Sequence, residues 1–294
     1  MDKISVIIPS RNELFLPQTI KDVLAKAAGE IEVIAVLDGY EPEPPLEKDP
    51  RLIVIEKPIK EGMRAAINSA AAVATGKYLM KCDAHCMFAE GYDEALKADC
   101  DDNWVIIPRR VSLDAENWTV SNTGKSPVDY HFLSWPYANP NEIGMHGNVW
   151  NERARKRKDI LIDDEMSSQG SCWFMTKKHF DFLGGFSEVG YGTFVQEAQE
   201  FGNKTWLSGG RMVINKKTWY AHLHKGKKYG RGYYISKHEM IRGAHYSADY
   251  WMNNRWSERK YDLDYLIEKF WPVPGWPTDW KEQQADWNAR LAGR

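Results

Sequence analysis

Short runs of consecutive apolar residues alternate with segments of helical periodicity in the first part of the chain. The apolar runs predict strands at residues 4–8, 31–37, 52–55 and 78–82. Apolar residues at helical spacing predict helices between those strands, at residues 16–28 and 62–74. Strands joined by helices in this way are typical of an α/β fold with a mostly parallel sheet covered on both faces. Such a sheet binds its ligands at the carboxyl ends of the strands.

The second part of the chain also mixes strand and helix patterns. A buried-strand run at 170–175 is followed by a short helix at 177–183. Alternation at residues 219–224 predicts a strand that sends His222 and His224 to the same side, which leaves either histidine open as a metal ligand.

Glu197 and Glu200 lie one helical turn apart in the same region. Their carboxylates are therefore expected to face one cavity, where both are candidate catalytic groups. A solvated acidic helix face is the alternative.

Composition and charge place the chain among ordinary soluble globular proteins. With 294 residues, 43% hydrophobic and 27% charged, it is long enough for one large core plus an elaboration. The formal net charge of −2 argues against a wholly basic nucleic-acid binder. The sequence has neither a signal-like apolar segment near its start nor a run of about 18 apolar residues, so we expect a cytoplasmic protein.

Two hard-metal ligands follow the strand at 78–82. Asp83 and His85 are two residues apart, so an extended backbone directs both toward one ion, and this ligand pair suits Mn²⁺ or Mg²⁺. A plain polar turn is one alternative. A zinc site formed by Cys82, His85 and Cys86 is another, but no second cysteine pair at finger-like spacing follows. The cysteines are too few and too unevenly spaced for a disulfide framework.

Four sequence segments together resemble a known family. They are residues 5–13 (Ser-Val-Ile-Ile-Pro-Ser-Arg-Asn-Glu), 36–38 (Val-Leu-Asp), 74–79 (Ala-Thr-Gly-Lys-Tyr-Leu) and 83–86 (Asp-Ala-His-Cys). They resemble nucleotide-sugar glycosyltransferases of the GT-A fold, family 2-like, with motifs most like those of the polypeptide N-acetylgalactosaminyltransferases. The strand-end motif of that family, Asp-Ser-His-Cys, differs here only at Ala84.

The resemblance continues downstream without a gap. Glu197, Glu200, Trp206, the Gly209-Gly210 pair and His222 fall on that family's Glu, Trp, Gly-Gly and distal His positions. It implies that Asp83, His85 and His222 hold a divalent metal, and that a nucleoside diphosphate sugar, with uridine as the nucleoside, is the donor. The residues expected to contact that donor are Pro9, Ser10, Arg11, Glu13, Asp38, Arg64, Asp83, Ala84 and Trp173.

The resemblance also bears on the reaction. The family retains the anomeric configuration, and it places Glu197 beside the donor sugar. An inverting enzyme would instead need a carboxylate base at the acceptor hydroxyl, for which Glu197, Asp163 and Asp164 are candidates. Lys60, like Arg64, lies near the start of a helix and would add positive charge at the phosphates.

Departures from the family concern the sugar and the acceptor. The family has Gly-Gly where this chain has Val195-Gln196, so added bulk enters the sugar wall and N-acetylgalactosamine cannot be assumed. The printed sequence also lacks the family's membrane anchor and C-terminal lectin domain, which argues against a protein acceptor in the secretory pathway.

Two basic segments suggest what the acceptor is. Residues 216–242 contain eight Lys or Arg and one acid, interleaved with Trp and Tyr, and residues 153–158 form a second basic run. Basic residues interleaved with aromatics are typical of nucleic-acid contacts, so a modified base in DNA is one candidate acceptor. A flexible lid over the diphosphate at 225–231 and a solvated helix at 153–158 are the alternatives. A glycan, a peptide or a small molecule also remains open as acceptor.

The sequence predicts a catalytic domain at 1–225 and a C-terminal extension at 226–294. Residues 1–100 would bind the nucleotide and residues 101–225 would form the acceptor side. The aromatic, Pro-rich residues 270–280 either pack back on the catalytic domain or line an acceptor groove. A non-catalytic nucleotide-sugar-binding module is a further alternative. A nucleotidyltransferase would need a Gly-rich triphosphate loop that residues 10–13 do not provide.

Overall fold

The computed structural model describes residues 2–139 and 143–292. The strands are β1 (Ile4–Ser10), β2 (Ile31–Asp38), β3 (Leu52–Lys57), β4 (Tyr78–Cys82), β5 (Cys86–Phe88), β6 (Trp104–Asp114), β7 (Thr119–Val120), β8 (His131–Leu133), β9 (Gly147–Val149), β10 (Ile162–Asp164), β11 (Cys172–Thr176) and β12 (Arg211–His222). The helices are α1 (Leu16–Lys26), α2 (Met63–Val73), α3 (Tyr92–Lys97), α4 (Asn151–Lys156), α5 (Lys177–Phe182), α6 (Glu197–Leu207), α7 (Gly226–Tyr229), α8 (Lys237–Met252), α9 (Leu263–Lys269) and α10 (Trp280–Ala292).

A 10-stranded sheet runs through the centre in the order β10-β12-β6-β11-β4-β1-β2-β3, with β5 paired to β12 and β7 to β6. β1 is parallel to β2 and β4, and β2 is parallel to β3. β11 lies antiparallel between β4 and β6, and β12 is parallel to β6. The predicted α/β class with a mostly parallel sheet is therefore confirmed.

The sheet brings several strand ends to one edge. β11 opposes both β4 and β6, so these two strands and β12 all point in the direction of β1 and β2. Ser10 and Asp38 end β1 and β2, Asp83 follows β4, and His222 ends β12. The carboxyl edge of the sheet consequently carries residues that are far apart in sequence.

Apolar side chains cover both faces of the sheet. Along β1, Val6 and Ile8 belong to the core that packs under α1 and α3, whereas Ile7 belongs to the core under α2 and α6. This alternation follows from the two-residue period of a strand. Helices on both faces exclude water from the strands, as the continuous apolar runs predict.

The C-terminal helices pack against the second of these cores. Trp251, Phe270, Trp276 and Trp280 belong to the same buried cluster as Trp206. The indole Nε1 of Trp276 donates to the Leu133 carbonyl at 2.7 Å. Residues 270–280 thus pack back on the sheet domain. Within the described ranges, no helix combines the length and the apolar composition needed to cross a bilayer.

Candidate active site

A cavity of about 550 Å³ opens at the carboxyl edge of the sheet. Its lining includes most of the residues predicted to contact a donor: Pro9, Ser10, Arg11, Glu13, Asp38, Lys60, Asp83, Ala84, His85 and His222. The sequence separations are large, but the shared direction of β1, β2, β4 and β12 brings the residues together. The cavity is the place where a ligand of an α/β sheet is expected.

Asp83, His85 and His222 form a group that fits a divalent cation. One ligand atom from each lies within 4.8 Å of the others. His222 Nε2 is 3.2 Å and His85 Nε2 is 3.9 Å from the same carboxylate oxygen, Asp83 Oδ2. His224 lines the cavity but is not part of this group among the described residues. A carboxylate and two imidazoles on one side of a cavity form a donor set that suits Mn²⁺-like ions.

The surroundings of His222 and Asp83 favour the protonation states that bind a metal ion. Burial lowers the pKa of His222 to about 4, so its imidazole is neutral at physiological pH. Burial alone would raise the pKa of Asp83, but Lys81 and His222 outweigh it and lower that pKa. A neutral imidazole and a carboxylate are the protonation states that bind metal.

Glu13 connects this group to the segment that follows β12. Its Oε2 lies 3.3 Å from His85 Nδ1, and Lys225 Nζ contacts both of its oxygens at 2.6 Å. Burial alone would raise the pKa of Glu13, but His85 and Lys225 lower it. Glu13 therefore orients His85 and holds the start of the 225–235 segment over the cavity.

Asp38 also lines the first cavity. Its carboxylate accepts from the backbone N–H groups of Glu61, at 2.6 Å, and Gly62, at 3.1 Å. Arg11 donates to the Asp38 carbonyl, and Ser10 Oγ hydrogen-bonds the Tyr40 hydroxyl. Asp38 thus fixes the loop before α2, and its contact with a nucleoside stays a prediction.

A second cavity, of about 490 Å³, lies beside the first. Met63, Asp83, Gln169, Phe194 and Arg231 line both cavities. The remaining lining of the second includes Lys81, His146, Gln196, Glu197, Gln199, Lys237, Met240 and Ile241. The shared residues make the two cavities neighbouring parts of one site.

Glu197 lies buried in the wall of the second cavity. Its Oε1 accepts from Trp173 Nε1 at 2.9 Å, and its Oε2 is 3.4 Å from Lys81 Nζ. Burial raises the pKa of Glu197, against the opposing effects of Lys81 and Trp173. A carboxylate held from two sides in this way is well placed to contact a sugar beside the metal group.

Lys81 is a site residue that the sequence patterns do not identify. It lies on β4 and is 1% exposed, with Nζ 2.7 Å from both Asp83 Oδ1 and the Gly170 carbonyl. Burial alone would lower the pKa of Lys81, but Asp83 and Glu197 raise it, so the side chain is an ammonium ion. The only sequence signal is a lysine inside an otherwise buried strand, where an unpaired charge is costly.

Gln196 is the second unforeseen feature. It precedes α6 with a φ of 63°, in the left-handed region that favours glycine. Its side chain lines the second cavity, where Nε2 donates to His146 Nδ1 at 3.1 Å. A bulky side chain at a glycine-like position narrows the second cavity next to Glu197, in agreement with the bulk expected there.

Arg64 and Glu200 are buried in a pair of their own, away from the two cavities. Arg64 is 1% exposed, and its guanidinium binds the Glu200 carboxylate and the Ser187 and Val195 carbonyls. Glu200 is also bonded to Lys204 and to the Ser187 N–H. Neither residue lines either cavity, so the packing gives no support to the phosphate contact predicted for Arg64 or to the catalytic role predicted for Glu200, and both stay predictions.

Three other candidate site residues also lie outside the two cavities. Trp173 is fully buried, lines neither cavity and donates to Glu197, so its predicted contact with a donor stays a prediction. Asp163 binds Tyr130 and Arg157, and Asp164 binds Arg211, so neither carboxylate is placed in the two cavities and their candidacy as bases stays a prediction.

The structure gives no support to the alternative zinc site. Both the Cys82 and Cys86 side chains are buried, and this burial raises the pKa of each thiol well above its ordinary value. The sulfurs are not in the ligand group of Asp83, His85 and His222, within the described part of the chain.

Both basic segments are neutralised only in part. In the 153–158 run, Arg157 pairs with Asp163, Lys156 pairs with Glu152, and Arg153 is half-buried against aromatic rings, whereas Arg155 and Lys158 are exposed and have no partner among the described ion pairs. In the 216–242 segment, Lys216, Lys217, Lys225 and Lys228 have carboxylate partners. Among the described ion pairs, those left without one are Lys227, Arg231, Lys237 and Arg242. Two of these four cations, Arg231 and Lys237, line the second cavity.

Comparison with known sequences gives the following matches. The family model described as glycosyl transferase family 2 matches residues 5–181. Polypeptide N-acetylgalactosaminyltransferase 5 of Caenorhabditis elegans is 26% identical over 278 residues, which is 86% of this chain and 42% of that protein. Probable N-acetylgalactosaminyltransferase 8 of the same nematode is 26% identical over 172 residues, 56% of this chain and 38% of that protein. The chain thus spans less than half the length of these curated relatives.

Solved structures are similar over most of the chain. A structure of GalNAc-T7 with UDP, GalNAc and Mn²⁺ has a TM-score of 0.64 at 18% identity, covering 92% of this chain and 58% of that one. Residues 1–349 of S. aureus TarS in complex with UDP-GlcNAc give a TM-score of 0.52 at 17% identity, covering 81% of this chain and 63% of that one. These likenesses confirm the predicted GT-A fold.

Proposed function

This chain belongs to glycosyl transferase family 2, and we propose that it is a metal-dependent glycosyltransferase with a uridine diphosphate sugar as donor. The observation that carries this proposal is the convergence of Asp83, His85 and His222 at the carboxyl edge of the sheet. A solved relative of the same fold holds UDP and Mn²⁺, which supports this choice of donor and metal.

The residues of the first cavity have distinct tasks in this function. Asp83, His85 and His222 would hold the cation, which supplies positive charge to the departing diphosphate. Glu13 orients His85, and Lys225 closes over the same side of the cavity. Ser10, Arg11 and Asp38 lie where the nucleoside would bind.

The second cavity would take the donor sugar and the acceptor hydroxyl. Glu197 faces the sugar, and Gln196 adds bulk beside it, which favours a hexose or pentose without an N-acetyl group. In the retaining reaction the bond from the anomeric carbon to the β-phosphate oxygen breaks, and the acceptor oxygen bonds to the same face of that carbon. The acceptor proton passes to the leaving diphosphate oxygen, so no separate base is required.

The acceptor in this proposal is a hydroxymethylated base in DNA. Support comes from the second cavity, whose lining includes Arg231 and Lys237 without carboxylate partners in the described ion pairs. Tyr234 lines the neighbouring cavity and is 84% exposed, as a residue that stacks on a base would be. The cations would contact phosphates on either side of the modified base.

The test uses purified protein with a panel of UDP-linked hexoses and pentoses. Release of UDP is measured with and without Mn²⁺, and then with duplex DNA that contains hydroxymethylated bases. We expect slow, Mn²⁺-dependent hydrolysis of one donor, faster UDP release with the modified DNA, and an α-linked product from an α-donor by NMR of the anomeric proton. No turnover with any donor would support a non-catalytic binding module. A β-linked product would identify an inverting enzyme.

Two variants separate the metal ligands from their surroundings. His222→Ala is expected to abolish Mn²⁺ binding and Mn²⁺-dependent hydrolysis while the protein stays folded. His224→Ala is the matched control, and its Mn²⁺ dissociation constant by isothermal titration should equal that of the unmodified protein. Metal binding lost in the His224 variant and kept in the His222 variant would overturn the ligand assignment.

A further inference from the structure

Lys81 is a buried cation that contacts two carboxylates from different parts of the site. Its Nζ contacts Asp83 Oδ1 and the Gly170 carbonyl, each at 2.7 Å, and Glu197 Oε2 at 3.4 Å. An ammonium ion has three hydrogens to donate, and all three have a partner here. Lys81 thus joins a carboxylate of the metal group to a carboxylate of the second cavity.

The two oxygens of Asp83 are divided between different partners. Oδ1 faces Lys81, whereas Oδ2 faces His222 and His85. A carboxylate held in this way offers only Oδ2 to an ion between the two imidazoles. Lys81 therefore fixes the orientation of the ligand and also competes, as a positive charge, with an incoming cation.

Glu197 depends on Lys81 in a different way. Lys81 is the only cationic side chain within 4 Å of Glu197 in the described part of the chain, and Trp173 provides the remaining hydrogen bond. An unpaired buried carboxylate is strongly disfavoured, so without Lys81 the Glu197 side chain would become neutral or move.

We propose that Lys81 is a positioning residue that holds Glu197 in the sugar part of the site and limits Asp83 to coordination through one oxygen. This inference rests on the proposed function. Lys81 itself touches neither the donor nor the reacting atoms in this assignment. Its effect is to couple the geometry of the sugar carboxylate to that of the metal carboxylate.

The inference predicts two changes of opposite direction in Lys81→Met, which keeps an unbranched side chain, one heavy atom shorter, and removes the charge. Mn²⁺ should bind about tenfold more tightly in the presence of UDP, because a positive charge close to the ion is gone. Turnover of the donor should fall about 10- to 100-fold in kcat, with little change in KM, because Glu197 loses its positioning partner. Isothermal titration and UDP release measure the two quantities.

Lys204→Met is the matched control. Lys204 is also buried and bonded to a carbonyl, that of Gly185 at 2.8 Å, and to a carboxylate, that of Glu200 at 2.7 Å, but it lines neither cavity. Its loss should lower the melting temperature without changing Mn²⁺ affinity or kcat. Lys81→Gln, which keeps a hydrogen-bond donor and removes the charge, serves if Lys81→Met does not fold, and the same pair of changes is expected.

The outcomes separate this inference from the proposed function. Weaker Mn²⁺ binding together with slower turnover in the Lys81 variants would indicate a merely structural role and overturn the inference. Unchanged binding and turnover would overturn it as well, while the activity of the unmodified protein would leave the proposed function intact. If the unmodified protein neither binds Mn²⁺ with UDP nor hydrolyses a donor, both fail together.

Discussion

Burial lowers the pKa of three histidines of this chain, but the three side chains lie in different surroundings. It lowers the pKa of His131 to about 3 and that of His179 and His222 to about 4. All three are therefore neutral at physiological pH, but only His222 lines a cavity and faces a carboxylate of the metal group. The same physical cause thus produces a candidate metal ligand in one place and core residues elsewhere.

The lowered pKa of His179 predicts a loss of stability in acid. The unfolded state, with a histidine pKa near 6.5, binds more protons than the folded state between that value and about 4. Stability therefore falls as the pH drops through this window. Between pH 7 and pH 4.5, the free energy of unfolding of the His179→Gln variant should fall by about 2 kcal/mol less than that of the unmodified protein, because the variant lacks this titrating group.

Urea unfolding at the two pH values measures this difference. His245→Gln is the control, because His245 is exposed and should behave as the unmodified protein does. An equal acid-induced loss in the His179 variant and the unmodified protein would contradict the argument.

At the level of single residues, the sequence identifies candidate site residues that directly follow a predicted strand. It misses residues whose place in the site depends on a contact with a part of the chain far away in sequence. Asp83 and His85 come two residues apart after a clear strand, and the structure brings them together with His222. Lys81 meets Glu197 across 116 residues of sequence, and local patterns carry no information on such a pair. The left-handed backbone of Gln196 is hidden for the same reason, because glutamine has no preference for it.

Secondary-structure elements likewise differ in how well the sequence predicts them. The strands and helices with strong apolar periodicity lie within a few residues of their predicted positions; β4, for example, spans Tyr78–Cys82. Strands such as β7, with 2 residues, and β5, with 3, have too few residues for a pattern and depend on their partners. Periodicity also gives the buried face of α2 but not what packs against it, and α6 is buried along its whole length. The Arg64–Glu200 pair joins these two helices, and this explains why both residues are absent from the cavities.

The segment from the end of β12 to the first residue of α8 leads to a prediction about the acceptor. Arg231→Gln with Lys237→Gln should weaken binding to duplex DNA and reduce the slope of log K against log salt concentration by about 2, as expected for two lost phosphate contacts. Fluorescence anisotropy between low and physiological salt measures the slope.

Arg155→Gln with Lys158→Gln tests the other basic segment by the same measurement. These side chains are exposed, line neither cavity, and leave the paired members of the 153–158 run in place. They should leave the slope unchanged. A reduced slope in this control and none in the first variant would move the nucleic-acid contact to the 153–158 run. Salt-independent binding in the unmodified protein would argue against DNA as the acceptor.

On the scale of the whole molecule, the C-terminal segment shares one hydrophobic core with the sheet domain. Trp251, Trp276 and Trp280 are buried in the same cluster as Trp206 of α6 and Leu133 of β8. The boundary predicted near residue 225 stays a prediction about domain organisation. The shared core implies that the sheet and the C-terminal helices stabilise each other.

Trp276→Ala tests this dependence. Removal of the buried indole and of its hydrogen bond to Leu133 should lower the free energy of unfolding by about 3–5 kcal/mol. Trp271→Ala is the control. Trp271 is 41% exposed, so its substitution should lower the free energy of unfolding far less. Denaturant unfolding, followed by far-UV circular dichroism, gives both values. A small loss in the Trp276 variant, or two separate transitions in the unmodified protein, would indicate that the C-terminal segment folds independently.

The order in which the sheet is completed has a consequence for how the protein reaches its working state. Asp83 and His222 are 139 residues apart in sequence, so at usual synthesis rates the second leaves the ribosome on the order of ten seconds after the first. During that interval β4 is available, but β12 does not yet exist. The group of Asp83, His85 and His222 therefore cannot assemble before His222 has been synthesised, so a cation held by all three residues would be captured late rather than at the start of folding.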